Sequence, residues 1–208
     1  MEYGTDRAAE PAGGKREEIV QAATRLIAER GYKRASLAQV AAQVGLTAPG
    51  LLHYFPTKDH LLLAVLGERT SKSASRSQVP QGRPETTGDL ASVLATLART
   101  VEQNARQPLL TQLHSVIVAD SLTEGHAAKE PMRRRYREAR SRVAAPLAAD
   151  ASLEGDVDRA PAIAALILAA LDGLQIQWLL DPDAVDMQAS FAVLEEALLG
   201  LRKDDDDR

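Results

Sequence analysis

Apolar residues recur at intervals of three and four along almost the whole chain, and no segment shows sustained two-residue alternation. Such spacing gathers apolar side chains on one face of an α-helix, whereas a half-buried strand requires alternation. Because turn-forming residues separate the periodic segments, the pattern predicts an all-α fold. The predicted helices span residues 16–30, 36–44, a short segment after 47, 57–71, 89–107, 108–121, 127–149, 158–180 and 186–202.

Residues 72–88 are rich in Ser, Thr, Gly, Pro and Gln, which predicts a linker or loop. This segment separates a small helical head, residues 15–71, from a larger helical body, residues 89–202. The polar N-terminal arm, residues 1–14, and the acidic tail, residues 203–208, are predicted to be disordered. The chain therefore reads as two helical domains joined by a linker.

Several residues in the head have the chemistry of helix ends. Gly31 follows the first periodic segment and tolerates the positive φ that often ends a helix. Ser36 and Gln39 have the spacing of a capping box, in which each side chain satisfies a backbone amide of the other. Thr57 follows Pro56 and is placed to cap the fourth helix. These signals predict four helices within the head.

The segment Leu37–Phe55 has the steric pattern of a helix-turn-helix. Small Ala41 permits a close helix crossing, Gly45 suits a turn with positive φ, and Leu51 can fill the angle between the helices. Thr47 can cap the second helix, which would leave the outer face of that helix free to enter the major groove. The alternative is an ordinary helical hairpin with a glycine turn.

The segment from Arg16 to Val65 resembles the DNA-binding domain of the TetR family of transcriptional regulators. The resemblance includes the Gly31-Tyr32 turn, the Ser36-Leu37 cap and the His53-Tyr54-Phe55 run with Lys58 in register. Leu52, where the family often has Tyr, and Pro49 depart from the pattern. A looser resemblance covers Leu171–Pro182 and implies a ligand-binding and dimerisation body. The family implies a ligand-responsive repressor that binds a palindromic operator as a homodimer.

This resemblance implies two groups of DNA contacts. The residues placed to meet base edges are Thr47, Ala48, Gly50 and His53. The residues placed to meet the phosphate backbone are Lys33, Arg34, Ser36, Tyr54 and Lys58. The alternatives are a solvated turn for Lys33 and Arg34, and packing against the first helix for Tyr54. The recognition helix contains no Arg or Asn that could make a bidentate base contact. We therefore expect sequence specificity to depend on methyl contacts, water and DNA shape.

Composition and charge narrow the functional classes. The net charge is −4, and it divides into −2 over residues 1–14, +3 over residues 15–71 and −5 over residues 72–208, so the more basic head is the part suited to a polyanion. The absence of cysteine excludes disulfides and thiolate metal sites. The four histidines are scattered and no catalytic motif is present, which argues against an enzyme, a metal site or a cofactor.

An apolar run of 12 residues, 160–171, is too short to span a membrane, so we expect a cytoplasmic protein. The alternative functional classes are a helical enzyme and a structural interaction protein.

The body is predicted to hold a small, largely apolar effector. The candidate pocket residues are His114, Val118, Gln175 and Trp178. His114 could instead be a satisfied core histidine, and Trp178 could simply pack in the core. An arginine-rich segment, residues 133–142, is predicted to be a solvated surface paired with Glu130 and Glu138, with an anionic ligand as the alternative.

The last two predicted helices carry more apolar side chains than a small body needs for its own core. A two-fold four-helix interface would bury the excess, and its candidate residues are Leu168, Leu171, Leu194 and Leu198. The alternative is an intramolecular core. The resemblance further implies that the fourth helix transmits effector binding to the spacing of the two heads of a dimer.

Overall fold

The computed structural model describes residues 12–76, 90–149 and 159–200, and throughout these ranges the regular secondary structure is α-helical. The chain divides into two compact units, with the boundary between Lys72 and Ser73. The described helices are α1 (Ala12–Arg34), α2 (Leu37–Gln43), α3 (Ala48–Tyr54), α4 (Lys58–Arg76), α5 (Leu90–Ala105), α6 (Pro108–Ser121), α7 (Lys129–Ala149), α8 (Ala160–Leu180) and α9 (Met187–Gly200). The all-α prediction is confirmed.

Two of the predicted irregular segments are partly helical. Helix α1 begins at Ala12, so residues 12–14 belong to a helix and not to a disordered arm. Helix α4 continues to Arg76, five residues beyond its predicted end at Ser71, and thereby enters the predicted linker. The remaining parts of the arm and linker, residues 1–11 and 77–88, lie outside the described residues, as does the acidic tail, 203–208.

The helix ends in the first unit are formed by the residues with the predicted capping chemistry. Gly31 has φ 76° and ψ 161°, a conformation that only glycine adopts readily, and it interrupts the regular geometry of α1. The capping box is present: the Gln39 amide donates to Ser36 Oγ (3.1 Å), and the Ser36 amide donates to Gln39 Oε1 (2.9 Å). At α4 the His60 amide donates to Thr57 Oγ1 (3.2 Å).

The core of the first unit is aliphatic and includes one face of α1. That face carries residues spaced three and four apart, and all of them are buried: Ile19, Ala22, Ala23, Leu26 and Ile27. Leu51 and Phe55 from the end of α3, with Leu62 and Val65 from α4, are also buried. Burial of an aliphatic side chain stabilises the fold by roughly 1.5–3 kcal/mol, so this face holds α1 in the unit.

The core of the second unit is built by α5, α7, α8 and α9. Its buried members are Leu90, Leu94, Val101, Val143, Leu147, Ala160, Ala164, Ile167, Leu171, Met187 and Phe191. Among the described helices, α8 has the length and hydropathy of a membrane span, with 21 residues and a mean hydropathy of 1.8. A core helix of a soluble protein meets the same criterion, and α8 places Ala164, Ile167 and Leu171 in this core.

The predicted dimer-interface residues lie in or against the core of the second unit. Leu171 is a buried member of the second unit's core, and Leu168, Leu194 and Leu198 are partly buried and pack against that core. These four leucines therefore serve mainly the intramolecular packing that was the alternative prediction. The exposed apolar side chains of the same two helices are other residues, namely Leu166, Ile176, Leu180 and Val193.

Candidate nucleic-acid interface

The turn between α2 and α3 has the geometry of a helix-turn-helix. Gly45 takes φ 69°, and the amide of Leu46 donates to the carbonyl of Ala41 (2.8 Å), which closes the end of α2. Thr47 then caps α3, because its Oγ1 accepts a hydrogen bond from the amide of Gly50 (3.2 Å). Leu51 is fully buried. The small residue, the glycine, the cap and the apolar plug all occupy their predicted places.

The outer face of α3 is formed by residues on the side opposite Leu51. Helical geometry places residues 48, 49, 52 and 53 within one arc of this short helix. Ala48 is half-buried, whereas Pro49, Leu52 and His53 are exposed. The buried leucine thus anchors α3, and the opposite arc is presented to solvent.

Gly50 has a structural role that spacing did not indicate. A Cβ atom at this position would lie 3.2 Å from Thr47 Oγ1 and 4.0 Å from Leu46 Cδ2. A side chain here would therefore crowd the hydroxyl that caps α3. Of the predicted base-contacting residues, Thr47 and His53 are exposed, and Ala48 and Gly50 are half-buried.

Some of the predicted phosphate-contacting residues lie close together. Lys58 Nζ donates to the backbone carbonyl of Lys33 (3.3 Å), so the start of α4 and the end of α1 lie side by side. Arg34 and Ser36 are exposed close by in the chain, and Tyr54 is half-buried at the end of α3. Lys33, Arg34 and Lys58 therefore lie close together at the junction between α1 and α2.

Tyr32 holds Lys58 in this cluster, although the spacing of residues predicts no contact between them. Lys58 Nζ lies 4.3 Å from the centroid of the Tyr32 ring, a cation–π arrangement. The Tyr32 hydroxyl donates a hydrogen bond to Asp59 Oδ1. Burial, and then the hydrogen bond and negative charge of Asp59, raise the pKa of Tyr32, so its hydroxyl stays protonated and remains a donor. No local pattern marks a pair 27 residues apart, so this contact could not be predicted.

A second cation–π contact ties the start of α1 to the end of α3. The guanidinium carbon of Arg16 lies 4.9 Å from the centroid of the Phe55 ring. Phe55 is itself buried, so its ring is fixed by the core of the unit. The contact therefore supports the position of the end of α3.

Comparison with known proteins shows what this first unit is similar to. Residues 19–65 match the family model described as bacterial regulatory proteins, tetR family. The first unit is therefore similar to the DNA-binding domain of these transcriptional regulators. The matched range contains α2, α3 and the start of α4, so it includes the turn, the outer face of α3 and the Lys33–Lys58 contact.

Relatives extend the similarity beyond the matched range. The HTH-type transcriptional regulator BetI of Brucella anthropi is 26% identical over 182 residues, which cover 88% of this chain and 90% of BetI. A transcriptional regulator from Rhodococcus superposes with a TM-score of 0.71 at 22% identity, covering 89% of this chain and 96% of its own, and supports the fold. A regulator from Saccharomonospora viridis in complex with choline has a TM-score of 0.62 at 25% identity, covering 88% and 95%. The relatives that this chain resembles along most of its length are thus named as transcriptional regulators.

The second unit contains a polar cluster within the predicted effector region. Tyr136 on α7 donates its hydroxyl hydrogen to Asp172 Oδ2 on α8 (2.7 Å), and His114 Nε2 on α6 lies 3.8 Å from Asp172 Oδ1. The rings of His114 and Tyr136 stack at a centroid distance of 6.3 Å. Burial and the nearby charge of Arg142 lower the pKa of Arg135, so this arginine is less solvated than predicted. Three helices thus meet at one carboxylate.

The four predicted pocket residues have different environments. Gln175 is only 7% exposed, so a polar side chain lies buried on α8. Trp178 packs against the core, and Val118 is half-buried on α6. An open groove of about 250 Å³ lies between α5 and α9 and is lined by Ala98, Arg99, Val101, Glu102, Gln188, Phe191, Ala192 and Glu195. None of the four predicted residues lines that groove.

The arginine-rich stretch of α7 otherwise has the predicted acidic partners. Arg133 Nη1 lies 3.9 Å from Glu130 Oε2, and Arg134 Nε lies 4.0 Å from Glu138 Oε1. All four side chains are well exposed, so each pair contributes little to stability. This surface supports the solvated interpretation and gives no reason to favour an anionic ligand there.

Proposed function

We propose that this protein is a TetR-family regulator that represses transcription as a cytoplasmic homodimer on a palindromic operator, and that a small molecule bound in its second unit releases the DNA. One observation carries the proposal, which is the outward arc of α3 held on a complete helix-turn-helix frame. A two-fold dimer would present two such helices, and a palindromic site would match that symmetry.

Base and phosphate contacts are assigned to different parts of the first unit. Thr47, Ala48, Gly50 and His53 belong to the turn and helix that would enter the major groove. Lys33, Arg34, Ser36, Tyr54 and Lys58 flank that helix and would meet phosphate oxygens. Lys58 is the best supported phosphate contact, because the Tyr32 ring and the Lys33 carbonyl hold its ammonium group at the start of α4.

The decisive experiment compares Lys58→Ala with His53→Ala on two duplexes, one enriched from a random pool and one of random sequence. A phosphate contact releases counterions and carries no sequence information. Lys58→Ala should therefore weaken both duplexes about equally and flatten the log–log salt dependence by roughly one unit. His53→Ala should cost about 1–3 kcal/mol on the enriched duplex and much less on the random one.

Arg25→Ala is the matched control for charge. Arg25 is exposed on the side of α1 that also carries exposed Glu18 and Gln21, away from the buried face. Its removal should change neither affinity nor the salt slope by a comparable amount. If Lys58→Ala altered sequence preference while His53→Ala weakened every duplex alike, the assignment of α3 as the recognition helix would be wrong.

The homodimer is supported by an unpartnered apolar stripe on α8 and α9. Leu166, Ile176 and Leu180 follow helical spacing on α8, with exposed Ala169 and half-buried Gly173 between them, and Val193 is exposed on α9. A monomer would leave these side chains in water, whereas a two-fold four-helix contact would bury them. The interface is therefore assigned to these residues instead of the four leucines of the core.

The effector is proposed to be a small, largely apolar molecule held near His114, Val118, Gln175 and Trp178. Gln175 supports this choice, because its buried side-chain amide offers both a donor and an acceptor to a ligand that carries a polar group. The adjacent Asp172 cluster could hold a second polar atom of such a molecule. Helix α4 continues past the unit boundary to Arg76, which makes it the candidate for transmitting the change, provided the ligand binds one dimer state more tightly.

A further inference from the structure

Leu52 is exposed on α3 in the middle of the outward arc. Its side chain is 42% exposed, whereas the preceding Leu51 is fully buried. A single exposed leucine is ordinary on a protein surface. The position of Leu52 is not ordinary, because it lies between Ala48 and His53 on the face that the proposed function assigns to the major groove.

The outward arc offers few groups that can hydrogen-bond to a base. Ala48, Pro49 and Leu52 have apolar side chains, and the Thr47 hydroxyl already accepts the cap hydrogen bond from Gly50. Bidentate recognition of guanine or adenine requires Arg, Lys, Asn or Gln, and residues 47–54 contain none of these. The surface that α3 presents is therefore mainly aliphatic, with His53 at its rim.

Thymine is the base whose major-groove edge suits this surface. Its C5-methyl is the apolar group displayed in the major groove, and aliphatic side chains contact it. Ala48 and Leu52 are four residues apart on one helical face, a rise of about 6 Å, which is close to two base-pair steps of about 3.4 Å. The two side chains can thus face base pairs about two steps apart in one groove.

We propose that Leu52 is a specificity-determining residue that packs on a thymine methyl group in the operator. The inference rests on the proposed DNA-binding function and deepens it, because it names the chemical group that is read.

The test replaces each thymine of the duplex enriched from a random pool, one at a time, with uracil. This change removes the methyl group and leaves the hydrogen-bonding edges of the base intact. Loss of one buried methyl should weaken binding of the wild-type protein about fourfold, the equivalent of ~0.8 kcal/mol. Leu52→Ala, in contrast, should bind the uracil-containing duplex as tightly as it binds the unmodified duplex.

Leu63→Ala is the matched control, because Leu63 is 45% exposed in the same unit but lies on α4. It should retain the full uracil sensitivity of the wild type. Leu52→Met, which keeps an apolar side chain of similar volume, should retain most of it.

Two results would overturn the inference while leaving the proposed function intact. One is a wild-type protein that binds the enriched duplex and is insensitive to uracil at every position. The other is a uracil effect that persists undiminished in Leu52→Ala. The scan on the wild type needs no variant, so it stands even if Leu52→Ala folds poorly. A wild type that bound no duplex would overturn the proposed function and this inference together.

Discussion

The turn of the helix-turn-helix depends on the backbone of Gly45, and Gly45→Ala tests that dependence directly. At φ 69° an alanine Cβ is strained against its own backbone, at a cost of roughly 1–2 kcal/mol. Apart from Gly45 itself and its two chain neighbours, the described residues place no atom within 4 Å of where that Cβ would stand, so a clash with a packed neighbour adds nothing. The destabilisation should therefore equal the conformational strain alone.

Gly67→Ala is the matched control for adding a methyl group. Gly67 lies inside α4, and its added Cβ would also meet nothing within 4 Å. Alanine is favoured over glycine inside a helix by roughly 0.5–1 kcal/mol, so this substitution should stabilise the unit. Gly45→Asn provides a second comparison, because asparagine tolerates the left-handed conformation better than alanine and should cost less than Gly45→Ala.

Hydrogen–deuterium exchange of peptides from α2 and α3 is the assay, because it reports the first unit. The fluorescence of Trp178 reports the second unit in the same samples. Where exchange occurs through unfolding of the first unit, Gly45→Ala should accelerate it about 5- to 30-fold. Gly67→Ala should slow it by roughly two- to fivefold. Equal destabilisation by Gly45→Ala and Gly67→Ala, or no effect of Gly45→Ala, would refute the reasoning from positive φ.

The remaining predictions concern the second unit. Leu166→Arg with Val193→Arg replaces two side chains that are 70% and 66% exposed, and light scattering should show the dimer mass fall to that of a monomer. Leu122→Arg, at a residue that is 79% exposed at the end of α6, should leave the mass unchanged, and a monomeric wild type would contradict the stripe as an interface. Gln175→Leu should weaken the binding of any effector that quenches Trp178 fluorescence and releases DNA, because the variant lacks the amide that would hydrogen-bond to that molecule. Unchanged effector affinity in both Gln175→Leu and Asp172→Asn would place the effector elsewhere.

Features formed by residues close together in the sequence were predictable, whereas contacts between residues far apart in the sequence were not. The capping of α2 and α3 and the turn at Gly45 were predictable because each depends on residues no more than about four positions apart. The buried face of α1 followed from spacing for the same reason. The Tyr32–Asp59 hydrogen bond and the packing of Lys58 on Tyr32 join residues brought together by the whole unit, so no local pattern revealed them.

The leucines of α8 and α9 show most clearly what spacing cannot predict. A helix with apolar residues on all sides has no polar face to orient it, so spacing could not decide which leucines face the core. The amino-acid sequence by itself determined the helices, their caps and the recognition motif, because local backbone and side-chain chemistry governs these features. Only the tertiary structure decided that Leu171 is buried, that Leu166 is exposed and that Leu52 lies on the outer arc of α3, because burial depends on which other helix packs against each face.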